Sequence, residues 1–350
     1  MKQNVSTNKE QNSTNKVRRG GWVIAIMIAL AVLIFMTVVA LVIMNRQMNR
    51  LAERPGENAA PLARHYAFIA KNPSDAIFRS IFEGAKEEGS ETGTIVEWFG
   101  EEREPDITEE NLVEMAIAAK VDGIILEGRA GEHLATMIEK ARHAGIPTVT
   151  VYRDCYGSAR QSYVGVASYS YGREYARQII RFAGKATHSA LLFLDSNGDD
   201  SEQNIVCNGI RNTLSNEGNH LRIELETVKV NTDSTFSAEE DIKRTLLAID
   251  KLPDIIICMD PVTTDCMYRA AVEYNLLDRI SLLGFYTEKS TLEAIEKGNM
   301  QATVTVDFHK MGRTAVDALN EYDETAFISD MYTQEAETVN RSNLREYREQ

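Results

Sequence analysis

Eight short apolar runs recur along the chain from about residue 65 onward: Tyr66–Ala70, Thr94–Phe99, Gly123–Leu126, Thr148–Val151, Ala190–Leu194, Ile255–Cys258, Leu282–Phe285 and Ala302–Val306. They do not alternate with polar residues, which is the pattern of parallel strands covered on both faces. Between them the period becomes helical. Leu134, Met137, Ile138 and Ala141 fall at i, i+3, i+4, i+7; Tyr175, Ile179 and Phe182 fall at i, i+4, i+7, as do Ile242, Leu246 and Ile249. Gly145-Ile146-Pro147 reads as a helix stop before a strand, and Ser201 is placed to cap the helix after the run ending at Leu194. Repeated strand–helix units imply a doubly wound α/β fold with right-handed crossovers. Ligands of such sheets lie beyond the carboxyl ends of the strands.

The N-terminus obeys a different constraint. Trp22 to Met44 contains no charged residue. At ~1.5 Å per residue this run spans roughly 34 Å, enough for a bilayer core of ~30 Å. A buried helix of a soluble fold would show a polar stripe, and none is present. Val38-Val39-Ala40 has the small residues of a signal-peptide cleavage site, so a cleaved leader competes with an uncleaved anchor. The apolar run continues through Leu41-Val42-Ile43-Met44, where a leader would turn polar, so an uncleaved transmembrane helix at 21–44 is the expectation. Residues 1–20, rich in Asn, Gln, Ser, Thr and Lys, are expected to form an unstructured cytoplasmic tail, and 45–64 a short stalk. Basic residues flank the run on both sides (Lys16, Arg18 and Arg19 before, Arg46, Arg50 and Arg54 after), so charge gives only a slight bias toward an inside N-terminus.

The formal net charge is −14, from 38 basic and 52 acidic residues in 350. The first twenty residues hold five basic groups and one acid, leaving −18 on the rest. A body this acidic repels phosphate, which excludes nucleic acid as a partner. The four cysteines (Cys155, Cys207, Cys258, Cys266) are too few for a disulfide framework and are expected as buried thiols; a Cys258–Cys266 bridge is the alternative. Asp195-Ser196-Asn197-Gly198-Asp199-Asp200 begins like a calcium loop, but lacks the glycine at position six and ends at Val206 where a bidentate Glu belongs. The six histidines show no metal-ligand spacing, and no nucleophile elbow or phosphate-cradling loop appears. No enzyme activity, metal or cofactor is therefore expected.

Several segments in fixed order carry a family resemblance. Val121-Asp122-Gly123-Ile124-Ile125-Leu126, a helix, then Ala144-Gly145-Ile146-Pro147-Thr148-Val149 resembles the type I periplasmic-binding-protein family, which includes sugar-uptake receptors and the effector domains of LacI-type repressors. Phe82-Glu83-Gly84-Ala85, Gly165…Tyr171-Gly172, Leu283-Gly284-Phe285, Ile295-Glu296-Lys297-Gly298, Ala302-Thr303-Val304 and Met311-Gly312 add to it, and Glu337 to Leu344 looks like the closing strand. The resemblance implies two similar doubly wound lobes joined by a three-stranded hinge, with a sugar in the cleft. Lobe one would hold about 65–166 and 307–325, and lobe two about 167–306. A LacI-type repressor would begin with a DNA-reading helix-turn-helix, whose place is taken here by the apolar run. An anchored member of the uptake branch would carry its C-terminal domain outside the cytoplasmic membrane.

A sugar site needs planar polar groups for hydroxyls and aromatic faces for ring C–H groups. By analogy, Asp75 would accept from hydroxyls and Phe78 would stack on the ring. The family's Asp-Arg pair after the fourth strand reads Tyr152-Arg153 here, keeping the donor fork. Its Asn-Asp pair reads Asp260-Pro261, its Gly-Phe-Asp reads Gly284-Phe285-Tyr286, its hinge glutamine falls at Val306 beside Asp307, and an arginine of the second lobe falls at Asn204. Two readings stand: a cleft retuned for a different ligand, or a degenerate cleft whose lobes serve protein contacts, with Arg153 simply paired in the surroundings of Asp154. The expected function is capture of a small polar ligand, a monosaccharide or derivative, reported to a membrane partner. That partner is either an ABC transporter permease or a sensor histidine kinase.

Overall fold

The computed structural model describes residues 63–101, 107–184, 189–196, 198, 200–218 and 221–347. The chain divides into a segment up to Leu62 and a compact unit from Ala63. The expected tail and transmembrane helix lie outside the described residues, as does the expected stalk up to residue 62. Among the described residues no helix is long and apolar enough to cross a membrane.

The compact unit contains two six-stranded sheets. The first is built from β1 (Arg64–Ile69), β2 (Thr94–Trp98), β3 (Gly123–Glu127), β4 (Thr148–Tyr152), β5 (Ser162–Val166) and β11 (Met331–Gln334), in the spatial order β2-β1-β3-β4-β5-β11 and wholly parallel. The second uses β6 (Ser189–Asp195), β7 (Glu224–Val230), β8 (Ile255–Cys258), β9 (Ser281–Phe285), β10 (Ala302–Val306) and β12 (Ala336–Asn340), in the order β7-β6-β8-β9-β10-β12. Only β12 runs antiparallel, against β10. The central strands β3, β8 and β10 are buried at every position, as their predominantly apolar sequences require, with Glu127, Thr303 and Thr305 the buried polar exceptions.

Helices α1 (Ala76–Thr92), α2 (Glu109–Ala119), α3 (Glu132–His143) and α9 (Phe308–Thr325) cover the first sheet. Helices α4 (Ser168–Phe182), α5 (Asp200–Glu217), α6 (Thr235–Ala248), α7 (Pro261–Glu273) and α8 (Lys289–Lys297) cover the second. The helical stripes read from sequence face inward: Leu134, Ile138 and Ala141 of α3 and Tyr175 and Ile179 of α4 are buried. Ser201 does not cap α5 but is its second residue, because the helix begins one residue earlier. One apolar core occupies the α1/α9 side of the first sheet and the α4/α5 side of the second, so it runs unbroken between the lobes; each lobe has its own core on the opposite face. The α1–α9 packing depends on close backbone approach. A Cβ on Gly84 would lie 1.9 Å from the carbonyl oxygen of His309, and one on Gly312 would lie 1.8 Å from that of Ile81.

The chain passes between lobes three times, each time through one residue: Ala167 between β5 and α4, Asp307 between β10 and α9, and Glu335 between β11 and β12. Ala167 and Asp307 share nearly the same backbone angles (φ −72°, ψ 85° and φ −71°, ψ 87°). The Ala167 N–H donates to the Gln334 carbonyl at 3.2 Å, tying two of the crossings together. Three single-residue crossings side by side form a hinge.

Candidate functional site

The carboxyl ends of the strands of both lobes face one another beside this hinge, and a cavity of about 380 Å³ lies between them. That volume suits a small ligand. The first lobe lines it with Lys71 after β1, Glu127 and Arg129 at the end of β3, and Tyr152, Arg153 and Asp154 at the end of β4. The second contributes Asp195 after β6, Glu202, Gln203 and Val206 from α5, and Met259 and Asp260 after β8. Tyr171 and Phe285 supply aromatic surface.

Local sequence explains why these groups converge. A Cβ on Gly128 would lie 1.8 Å from the Arg153 carbonyl oxygen, so glycine there lets the ends of β3 and β4 come together. Asp260 is the N-cap of α7: its carboxylate accepts the Thr263 N–H at 2.8 Å and Pro261 fills the first helical position. Tyr171 and Tyr175 anchor α4 to the strand ends, their hydroxyls donating to the carbonyls of Met259 at 3.1 Å and Cys258 at 3.0 Å respectively.

Arg153 reaches across the cleft to Asp195 at 3.2 Å, and its guanidinium lies 5.5 Å from the centre of the Tyr152 ring. Burial acts to discharge Arg153, but Tyr152, Asp195 and Glu127 outweigh it and hold its pKa above the ordinary value. The pairing of Arg153 near Asp154 considered from sequence does not occur; Arg160 takes Asp154 through two nitrogens, at 2.6 and 2.7 Å. Lys71 and Asp233 add a second contact between the lobes at 3.5 Å. Glu127, 8% exposed, accepts the Lys71 backbone N–H at 2.7 Å, and burial pushes its carboxyl up to about 7. Burial also raises Asp260, against the hydrogen bonds from Thr263.

Of the residues singled out from sequence, Tyr152, Arg153 and Asp260 line the cavity together. Asp75 does not line it: its carboxylate caps α1 through the Ile77 N–H at 2.8 Å, and burial raises its pKa. Phe78 is 3% exposed and meets the edge of Tyr152 at 5.7 Å, so its ring is committed to packing. Tyr286 packs on Phe308 at 5.4 Å, and its hydroxyl donates across the lobes to the Ala76 carbonyl at 3.2 Å. Tyr152 also approaches Phe308, at 5.7 Å. Both tyrosines adopt left-handed backbone angles (φ 67° and 70°), uncommon for bulky residues, which turn the two strand ends inward onto the hinge aromatic. Asn204 is exposed on α5, because the face toward the cleft carries Gln203 and Val206. Asp307 is exposed in the hinge and caps α9 through the Lys310 N–H at 2.7 Å.

Sequence reasoning passed over Lys71, Glu127, Arg129, Asp195, Gln203 and Asp233. Glu127 and Asp195 directly follow apolar runs, so the strand-end rule alone would have found them. Among the described residues no cluster of His, Cys, Asp or Glu is arranged to hold a metal, and all four cysteines are buried free thiols.

No curated protein matches the sequence. Solved structures do resemble it. GanP, a glucose-galactose binding protein from Geobacillus stearothermophilus, matches with TM-score 0.71 at 20% identity over 81% of this chain and 99% of its own. The XylFII-LytSN complex matches with TM-score 0.66 at 24% identity over 81% and 99%. A Caulobacter myo-inositol binding protein, bound to myo-inositol, matches with TM-score 0.67 at 18% identity over 83% and 96%. At these identities the likeness speaks for the fold. The family model described as a periplasmic binding protein domain matches residues 66–324, most of the two-lobed unit with its hinge and cleft, and the chain belongs to that family.

Proposed function

We propose that this chain is a membrane-anchored, extracytoplasmic solute-binding protein that captures a small polar ligand of the monosaccharide class between its lobes. The observation that carries the reading is the cavity at the meeting strand ends, where acids, a guanidinium fork and aromatic rings converge from both lobes. Hydroxyl groups are matched by such planar polar partners, and ring C–H faces by the aromatics. GanP, AraP and the myo-inositol protein are sugar or polyol binders on the same fold, which supports the ligand class. A ligand touching both lobes would shift the open–closed equilibrium by its differential affinity for the closed state.

The bound state would then be read by a membrane partner. XylFII has been solved in complex with LytSN, which favours a docking role in sensing, whereas a related Bacillus halodurans protein is named as the sugar-binding protein of an ABC transporter, which favours uptake. The apolar run at 21–44 supports an anchored protein with residues 65–350 outside. A second reading, an interaction module without ligand, is favoured by the commitment of Phe78 and Tyr286 to packing between the lobes.

A thermal-shift screen of monosaccharides on the full-length chain, followed by calorimetry, separates the two: a stabilising sugar supports capture, and none supports the interaction module. Protease applied to whole cells tests the topology. It should cut beyond residue 44 and spare the N-terminal tail; the reverse pattern would refute the outside placement.

A further inference from the structure

We propose that Tyr286 latches the two lobes in the closed arrangement, so that the protein itself supplies part of closure and a solute supplies the rest. The inference rests on the open–closed step of the capture reading and holds whatever the ligand.

Tyr286 follows β9 in the second lobe, and its backbone is fixed there from both sides. Its N–H donates to the Val304 carbonyl at 2.9 Å, and its carbonyl accepts from the Thr303 hydroxyl at 2.8 Å, both on β10. These bonds hold the residue at φ 70°, a left-handed conformation that bulky side chains rarely adopt. The side chain is thereby aimed at the first lobe. Its hydroxyl donates to the carbonyl of Ala76, the first residue of α1, at 3.2 Å. Its ring meets that of Phe308, the first residue of α9, with centroids 5.4 Å apart and planes at 67°. Phe308 is buried and also touches Tyr152 at 5.7 Å and Phe285 at 6.1 Å, so Tyr286 leans on a packed block. Phe308 directly follows the crossing residue Asp307, which puts the contact astride the hinge.

The other contacts between the lobes differ in kind. Arg153–Asp195 and Lys71–Asp233 are ion pairs whose members line the cavity. Ligand hydroxyls compete for such groups, and salt weakens the exposed pair. Tyr286 does not line the cavity, and its bond to Ala76 is between neutral groups. Burial, with Asp75 and Glu288 adding to it, pushes the phenol up to about 12, so the hydroxyl remains a donor across the physiological range. The contact therefore neither competes with a solute nor needs one. Where the closed state is the one that binds, raising its population lowers the apparent Kd in proportion. Tyr286 is a positioning residue: it sets affinity through closure, without touching the ligand.

Energy transfer between dyes at Tyr156 in the first lobe and Phe236 in the second, both highly exposed, reads the two populations. The sample is the full-length chain in mild detergent with no sugar added. The parent should populate the closed state under these conditions. Tyr286→Phe should lower the closed-to-open ratio about two- to tenfold, as loss of one neutral hydrogen bond predicts. Tyr286→Ala, which also takes the ring from Phe308, should lower it further; should that variant fail to fold by urea denaturation, Tyr286→Phe decides alone. Added salt should leave the difference between parent and Tyr286→Phe in place. For any monosaccharide that binds, calorimetry on Tyr286→Phe should show Kd raised by the factor lost from the closed fraction. A parent with no closed population before sugar is added, or a ratio unchanged in Tyr286→Phe, overturns the latch and leaves sugar capture standing. A ratio that falls as stated while no monosaccharide binds upholds the latch and removes the capture reading.

Discussion

Replacing Glu127 by glutamine isolates the most perturbed acid of the cleft. The side chain ends β3, is 8% exposed and accepts one backbone N–H at 2.7 Å, an acceptor role an amide oxygen can keep. Its carboxyl is raised from 4.5 to about 7, chiefly by burial. In the unfolded chain the group releases its proton near 4.5, while the folded protein holds it until about 7. The group therefore costs nothing below the unfolded pKa, costs progressively more as pH rises between the two, and carries its full penalty above the folded pKa. At ~1.4 kcal/mol per pH unit, the penalty reaches about 3 kcal/mol. Urea denaturation of both proteins at pH 5, 6, 7 and 8, followed by circular dichroism, reads the difference, in which other titrating groups cancel. Glu127→Gln should gain roughly 2–3 kcal/mol on the parent between pH 5 and pH 8. Parallel curves would show that the site does not raise this carboxyl, and a difference that moves the other way would mean a cation pairs with Glu127 in the folded protein.

Arg153→Ala removes the guanidinium fork from the cleft and should weaken ligand binding by about 1.5–3 kcal/mol, roughly ten- to a hundredfold or slightly more in Kd by calorimetry; unchanged affinity would remove Arg153 from the site. Gly84→Ala forces a methyl to 1.9 Å from the His309 carbonyl oxygen, and the resulting separation of α1 and α9 should cost about 1–3 kcal/mol of stability, read as a lowered urea midpoint at constant slope. An unshifted midpoint would show that the helix pair relaxes freely.

Seven of the eight apolar runs correspond to the largely buried strands β1, β3, β4, β6, β8, β9 and β10, where burial on both faces leaves little room for polar residues; the eighth is the edge strand β2, apolar in sequence although Ile95 and Glu97 on its outer face are exposed. The strands missed are those that burial shapes least. β7 is an edge strand exposing Glu224, Glu226 and Thr227, and β11 exposes Met331 and Thr333 at the other lobe's edge. β5, Ser162–Val166, is buried at four of its five positions, but its serine, tyrosine and glycine break the aliphatic run. The cleft was legible where a polar residue follows a strand, as at Tyr152, Arg153 and Asp260. It was illegible where helical phase decides. Gln203 and Asn204 are neighbours in sequence, but one helical step of about 100° turns the first toward the cavity and the second to solvent. Phe78 and Tyr286 were sound choices by residue type, yet only the tertiary contacts reveal that their rings are spent on Tyr152 and Phe308. Lys71 and Asp233 come from loops of different lobes, and no local pattern announces that they meet.

The central claim is that a solute in the cleft draws the lobes together about the three single-residue crossings. Single-molecule energy transfer between dyes placed at Tyr156 in the first lobe and Phe236 in the second, both highly exposed, measures this directly. A sugar that calorimetry shows to bind should convert a broad or two-state distribution into one narrow state of fixed separation. Binding that leaves the distribution between the lobes unchanged would contradict the account.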